Sequence, residues 1–339
     1  MARVTLKEVA DRAGVTPATV SMILNGKNSF KEATVEKVRQ ALADLNYVPN
    51  LTAKRLATQK TETVAFVLEN IESSFEVELL KGIQSRAVHS GYDILFLSLM
   101  THQKPYAELV TALAQGGKAD GIISVDHPHA AGVQQSLGQS GLPVVLLEND
   151  TTTLDSVVSD NFAGGVLAAR HFLDRGVVRP ALVHGPLSAE WMARRVGGFV
   201  TTLEAAGVEV SPEARIEVEY RGDQVAHGQA LADRVTDGRR CRFDAVFVAA
   251  GDEFAMGLLH ALQRRGLRIP GDVRVLGYDG LPACQLVYPS LSTVDQDIQE
   301  LGALAFGRIL DRLRDPDPTA GPPDRQVLRP NLVLRESSP

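Results

Sequence analysis

The chain has little of what covalent chemistry, export or membrane insertion requires. It holds two cysteines in 339 residues, Cys241 and Cys284, which form no C-x-x-C pair. Neither a disulfide framework nor a zinc knuckle is suggested, and both read as buried thiols. No run approaches the roughly 18 apolar residues of a membrane span. The opening MARVTLKEVA lacks the apolar core of a signal peptide, so a cytoplasmic protein without a membrane partner is expected. Glycine is plentiful at 29, yet no two are spaced G-x-G, which removes the dinucleotide fingerprint. The G-x-x-x-x-G-K phosphate loop, the H-E-x-x-H zinc helix and the G-x-S-x-G nucleophile elbow are missing too. No catalytic residue, metal or cofactor is expected. His127 and His129 flank a proline in a loop and read as solvated or cleft-lining side chains. Asp311, Arg312, Arg314, Asp315 and Asp317 read as a solvated helix end.

What is present is an uneven distribution of charge. Net charge is −6, but residues 1–60 carry ten Lys or Arg against five Asp or Glu, while the remainder carries 25 against 36. A small head at +5 is joined to a large body at −11. That asymmetry points to a polyanion-binding module attached to a unit with another task.

In the head, Thr5 and Glu8 form a T-x-x-E capping box ahead of the apolar stripe Leu6, Val9, Ala10 and Ala13, which Gly14 ends. Thr16 then caps a second helix with Pro17 at its first position, Val20 and Leu24 facing inward and Asn25-Gly26 as the stop. A third helix carries Val35, Val38, Leu42 and Leu45 and is broken by NYVPN. The spacing predicts a helix-turn-helix within a three-helix head. The outer face of the second helix, with Ala18, Ser21 and Met22, bears no charge, which suits close approach to a DNA duplex.

VTLKEVADRAGVTPATVSMILNG followed by YVPNLTAKRLATQKT resembles the LacI/GalR family of bacterial transcription regulators, and the resemblance runs the whole chain. It implies a hinge helix over Asn50 to Leu56, with Ala53 and Leu56 at minor-groove positions and Leu56 as the wedge that unstacks a central base step. The DNA-contacting set it implies is Thr5, Thr16, Pro17, Ala18, Ser21, Met22, Asn25, Lys31, Asn50, Ala53, Lys54 and Leu56. Met22 stands where much of the family has Arg, so polar base reading by this helix should be weak.

From Thr63 onward, seven apolar runs (TVAFVLEN, YDILFLSL, ADGIISV, LPVVLLE, RPALVHG, FDAVFVAA, DVRVLGYD) alternate with helical patterns. Such alternation predicts parallel sheets in two doubly wound lobes with a cleft between them. The expected fold is therefore α/β: a three-helix head (1–49), a hinge helix and linker (50–60), and a body (61–339). The resemblance implies a periplasmic-binding-protein-like body that crosses between lobes near 159, 291 and 322, giving an N-lobe of 61–158 and 291–321 and a C-lobe of 159–290 and 322–339.

Ligands of such sheets bind beyond the carboxyl ends of the strands. The resemblance places effector contacts at Phe75, Asp160, Arg195, Asp252 and Asp279, to which Glu76 and Trp191 are added as chain-specific candidates. The chain departs from the family at Glu76, where an aromatic is usual, at Ala193, where sugar-responsive members carry Arg, and at Gly251, where the family has Asn. An aromatic expected before Gly228 is replaced by Asp223 or Gln224. Losing an Arg and gaining acids favours a neutral or cationic ligand over an acidic one. The reading is a homodimeric repressor of a pseudo-palindromic operator, controlled by a sugar or related small molecule. A solute-binding receptor without a DNA function, and a regulator whose cleft has lost its ligand, are the alternatives. The ending RQVLRPNLVLRESSP has no leucine heptad, so no appended tetramerisation helix is expected.

Overall fold

The computed structural model describes residues 4–24, 30–47, 60–68, 73–98, 106–115, 117–125, 137–220, 222–315, 317 and 321–339. Asn25, Asn50, Ala53, Lys54, Leu56, His127 and His129 lie outside the described residues. The chain divides into two compact units, residues 1–60 and 61–339, each with its own core.

In the first unit Thr5 caps α1 (Leu6–Ala13): its hydroxyl accepts from the Glu8 amide, and the Glu8 carboxylate accepts from the Thr5 amide at 2.7 Å. Gly14, at φ +67°, ends the helix in the left-handed region. α2 (Pro17–Leu24) begins on its proline behind Thr16, whose hydroxyl accepts from the Thr19 amide at 3.2 Å. α3 (Glu32–Asp44) covers both, and Val9, Ala10, Val20, Val38 and Ala41 are buried between the three. Leu24 departs from expectation. It is 39% exposed, and Ile23 packs on the core instead, because Val20 and Ile23 share the inward face of this two-turn helix and Leu24 falls past its edge.

The second unit opens on a knot. The Asp120 carboxylate accepts from the amide and hydroxyl of Thr61, at 2.8 and 2.9 Å, and from the amide of Glu62 at 2.9 Å, fixing the point where the chain enters the body. Beyond it β1 (Thr63–Leu68), β2 (Asp93–Ser98), β3 (Gly121–Val125), β4 (Val144–Leu147) and β5 (Asp155–Ser159) join β13 (Arg325–Leu328) in a parallel sheet ordered β13-β5-β4-β3-β1-β2. A second sheet holds β6 (Pro180–His184), β7 (Arg215–Glu217), β10 (Ala245–Val248), β11 (Arg274–Asp279), β12 (Ser292–Asp295) and β14 (Asn331–Val333). Its order is β14-β12-β11-β10-β6-β7, with only β14 antiparallel. β8 (Thr236–Asp237) and β9 (Arg240–Cys241) form a short hairpin. Every residue of β1, β3, β4, β6 and β10 is buried, which is why these strands read as unbroken apolar runs and not as alternating ones.

Two crossings between lobes differ from expectation. The first follows Ser159, but β12 still pairs with β11, so the second falls between Asp295 and Ile298 and not at 291. β13 pairs with β5 of the first sheet, so the third falls between Leu328 and Asn331 and not at 322. Strand pairing, which has no local sequence signature in segments of three or four residues, decides both positions.

Helices cover the sheets in close pairs: α4 (Ser74–Ala87) with α10 (Ile298–Arg314), α6 (Asn161–Asp174) with α7 (Glu190–Ala205), and α8 (Gln224–Val235) with α9 (Asp252–Arg264). α5 (Tyr106–Gln115) completes the set. Each pair meets backbone to backbone at glycines. A Cβ on Gly82 would stand 1.9 Å from the Gln299 carbonyl oxygen, one on Gly165 2.0 Å from that of Arg195, and one on Gly228 2.2 Å from that of Phe254.

Candidate functional site

α2 carries no charged side chain, and its outward residues Thr16, Pro17, Ala18 and Met22 are exposed, with Ser21 half-buried beside them. An isolated helix with such a face would gain nothing from water, and its small side chains leave the backbone open to a close partner. Lys31 is exposed at the start of α3. Thr5 has its side chain engaged in the capping box.

The second candidate site lies between the lobes of the body. Arg195 is its pivot: only 3% exposed, it donates from Nε and Nη2 to Asn161 Oδ1 at 3.0 and 2.8 Å, and from Nη1 to the Ala249 carbonyl at 2.6 Å. Its guanidinium lies 3.4 Å from the centre of the Tyr278 ring and 5.0 Å from that of Trp191, so a cation is held between two aromatic faces. Trp191 stands in the first turn of α7, with Tyr220 at 6.0 Å between ring centres. Tyr220 supplies the aromatic surface that Asp223 does not: Asp223 caps α8, accepting from the Ala226 amide at 3.0 Å. Opposite, Phe75 and Glu76 occupy the first turn of α4, both half-buried, and the Ser73 hydroxyl donates to the Glu76 carboxylate.

Two of the expected effector residues do other work. Asp160 is the N-cap of α6, its carboxylate accepting from the Ala163 amide at 3.0 Å. Asp252, the first residue of α9, is fully buried: one carboxylate oxygen accepts from the amides of Gly280 and Leu281, both at 2.9 Å, and the other from the Thr293 hydroxyl at 2.7 Å. It ties α9 to the ends of β11 and β12. Asp279, by contrast, is half-buried at φ +123°, its carboxylate accepting from Gln296 Nε2 at 2.8 Å. Gly251 beside it has no room for the family's Asn, since a Cβ would come within 2.8 Å of an Asp279 oxygen.

Glu148 and Arg194 follow strands as cleft candidates should, whereas Asp150, Ser159, Asn161, Glu253 and Gln296 escaped the sequence reading. Asn161 links Arg195 to Glu148, donating to the Glu148 carboxylate at 3.0 Å, and Glu148 also accepts from the Ser159 amide at 2.7 Å. Glu253 accepts from the Ser74 hydroxyl at 2.5 Å, and Arg194 reaches Asp150 at 2.6 Å, so the lobes touch on both sides of the cleft. Glu148, Asp150, Ser159, Asn161, Trp191 and Arg194 line its wall together. Gln296 Oε1 is buried and has no hydrogen-bond partner among the described residues, and the buried Ser159 hydroxyl faces that of Tyr278. Asn161 and Glu253 adjoin residues that the strand-end rule picks out. Gln296 follows β12, whose shortness hid it.

Burial, with the nearby charge of Asp252, pushes the Asp279 carboxyl well above its usual range, and burial raises Asp252 to about 6. A carboxyl whose folded pKa is raised binds more protons in the native state, so its charge costs stability as pH rises through that value. Asp279→Asn is therefore expected to stabilise the body more at about pH 8 than at about pH 5, because the charge that Asn removes is more fully developed at the higher pH. Urea midpoints of both proteins at the two pH values check this. An equal effect at both would remove the buried-charge account.

Comparison with known proteins agrees with this anatomy. The model for bacterial regulatory proteins of the lacI family matches residues 5–50, and that for the periplasmic binding protein-like domain matches residues 169–338. The HTH-type transcriptional regulator DegA of Bacillus subtilis is 30% identical, covering 99% of this chain and 98% of its own. Among solved structures, the Lac repressor dimer bound to operator and the anti-inducer ONPF superposes with a TM-score of 0.83 at 25% identity, covering 99% of each chain. The complex of transcriptional regulator CelR with cellobiose gives 0.70 at 28% identity, covering 99% of this chain and 100% of that one. The helix-turn-helix head and the two-lobed body occur here in one chain with those relatives, and the chain belongs to the lacI family of bacterial regulatory proteins, DNA-binding regulators of transcription.

Proposed function

We propose that the protein is a homodimeric repressor that reads a pseudo-palindromic operator through α2 and the segment from Asn50 to Leu56, and that a small molecule bound between the lobes of the body controls it. The observation that carries the DNA-reading half is the exposed, uncharged face of α2 on a head of net charge +5. The Lac repressor dimer on operator, similar over 99% of this chain, supports it. For the ligand half, Trp191 in the cleft wall, the half-buried Phe75, Glu76 and Asp279 at helix and strand ends, and the orphaned Oε1 of Gln296, which a ligand would satisfy, support the reading. That atom also speaks against a cleft that has lost its ligand. Closure of the lobes around the ligand changes operator affinity, and operator changes ligand affinity by the same factor.

Binding of the full-length protein to selected and random duplexes across a salt series tests the reading. Counterion release requires a steep fall of affinity with salt on both, and a protein that shows no such fall is not a DNA-binding regulator. Met22 gives a sharper check. Its thioether has no donor for guanine, so the operator should show a relaxed or thymine-favouring preference at that base pair. Met22→Arg is expected to select guanine there by roughly 1–3 kcal/mol. Binding-site selection with both proteins decides it, and a strong guanine preference with Met22 in place would refute the assignment.

A further inference from the structure

Three carboxyl groups lie near one another at the cleft, and among the described residues the one cation acting on them, Arg195 on Asp279, is hydrogen-bonded elsewhere. Glu76 comes from α4 of the first lobe, and Glu253 and Asp279 from the second. They are near enough that Glu253 acts electrostatically on both of the others, and the Ser74 hydroxyl, two residues from Glu76, donates to Glu253 at 2.5 Å. Their side-chain partners are neutral: Ser73 for Glu76, Ser74 for Glu253 and Gln296 for Asp279. Among the described residues no Lys or Arg pairs with any of the three. Arg195 is close, but its hydrogen bonds go to Asn161 and to a carbonyl, not to a carboxylate.

With all four carboxyls ionised the local charge would be negative, and burial together with that crowding raises Glu76 and Asp279 above the usual carboxylate range. The N-termini of α4 and α9 contribute about half a positive charge each. With Arg195 they offset two of the four carboxylates, counting Asp252. Gln296 adds an independent sign of a missing partner. Its side chain is 1% exposed and directed at Asp279, and its Oε1 has no donor. Among the described residues the open polar atom at this point, Gln296 Oε1, is an acceptor. Among the described residues no group of His, Cys, Asp and Glu is placed to hold a metal ion. The stacking of Arg195 between Tyr278 and Trp191 shows that the same cleft accommodates a cation against aromatic faces.

The geometry points to a seat for a protonated amine between Glu76, Glu253 and Asp279, so that the effector is an amine-bearing small molecule whose remaining surface lies toward Trp191. This inference rests on the cleft being the effector site. Because the seat draws on both lobes, an ammonium group there bonds them together and favours closure, which gives the ligand its leverage over the lobes.

Matched probes test it on the full-length protein. Thermal unfolding is followed with glucosamine against glucose, galactosamine against galactose, and putrescine against 1,4-butanediol, each at about 20 mM. The expected result is a rise in Tm with at least one amine that exceeds the rise with its neutral twin. Glu76→Gln and Glu253→Gln, both at partly exposed first-turn positions, should each weaken that amine about tenfold, the scale of one charge-assisted hydrogen bond. The Tm of each variant without ligand verifies folding. A neutral twin that raises Tm as much as the amine, in wild type and variants alike, keeps the cleft as the effector site and overturns the ammonium seat. No shift with any of the amines overturns the seat as well.

Discussion

Gly82→Ala is expected to lower the stability of the body by about 3 kcal/mol, the upper range for forcing atoms into a filled interior. The added Cβ would stand 1.9 Å from the Gln299 carbonyl oxygen and 2.7 Å from its carbon, both backbone atoms that cannot rotate away. α4 and α10 must separate by more than an ångström, and the sheet beneath them, packed by Leu79, Ile83, Leu301, Ala305 and Ile309, loses contact with both. Helix propensity works in the opposite direction, since Ala is favoured over Gly in a helix interior by about 1 kcal/mol, but the clash outweighs it. Gly307→Ala isolates that term. On α10, with nothing within 4 Å of its would-be Cβ, it should stabilise by roughly 0.5–1 kcal/mol. Urea unfolding of the two variants compares them directly. If both substitutions moved the midpoint the same way, backbone contact between α4 and α10 would not be what holds this face. Because α4 carries Phe75 and Glu76 in its first turn, the first variant should also shift the cleft wall and weaken any ligand found there.

How much of this was legible in the sequence depends on how far apart the interacting residues lie along it. The capping box at Thr5 and Glu8, the Gly14 stop and the Pro17 start are local signals, and each appears as an observed cap or terminus. The seven apolar runs are all strands, and for all but the edge strand β2 burial on both faces of a parallel sheet writes itself into consecutive residues. β5, β7, β12, β13 and β14 span three to five residues, too few for any period to show, and the placement of two lobe crossings went with them. The cleft was legible in outline only. That Asp252 would be enclosed could not be read from its neighbours, since its partners Gly280, Leu281 and Thr293 are 28, 29 and 41 residues away. A carboxylate after a strand looks the same in sequence whether it faces a ligand or the underside of the next loop.

Arg312 shows the same limit with a larger consequence. In sequence it belongs to a mixed charge run that reads as a solvated helix end, and for Asp311 and Arg314, which pair with each other on the surface, the reading is right. Arg312, however, turns inward, its side chain 13% exposed, and with Arg308 it encloses Asp155 at the start of β5. Asp155 Oδ2 accepts from Arg308 Nε at 2.8 Å and Arg312 Nε at 2.7 Å, and Oδ1 from the second nitrogens of both and from the Asp324 amide at 2.7 Å. One carboxylate thus joins α10, β5 and the approach to β13, the segments by which the chain leaves and re-enters the first lobe. Burial pushes the Asp155 carboxyl up, but the two guanidinium groups and the amide outweigh it and hold it below the usual carboxylate range. Asp155→Ala should therefore cost about 3–5 kcal/mol, because it leaves two largely buried guanidinium groups without their hydrogen-bonded anion and with only the more distant Asp324 beside Arg308. Arg314→Ala, at an exposed position, should change stability by less than about 0.5 kcal/mol. A carboxyl with a lowered folded pKa contributes stability above its unfolded pKa and loses it as pH falls through the folded value. The advantage of wild type over Asp155→Asn should accordingly be full near neutral pH and shrink in acid, as read from urea midpoints across a pH series. An advantage that stayed constant down to about pH 2 would mean that shape, and not charge, makes Asp155 matter.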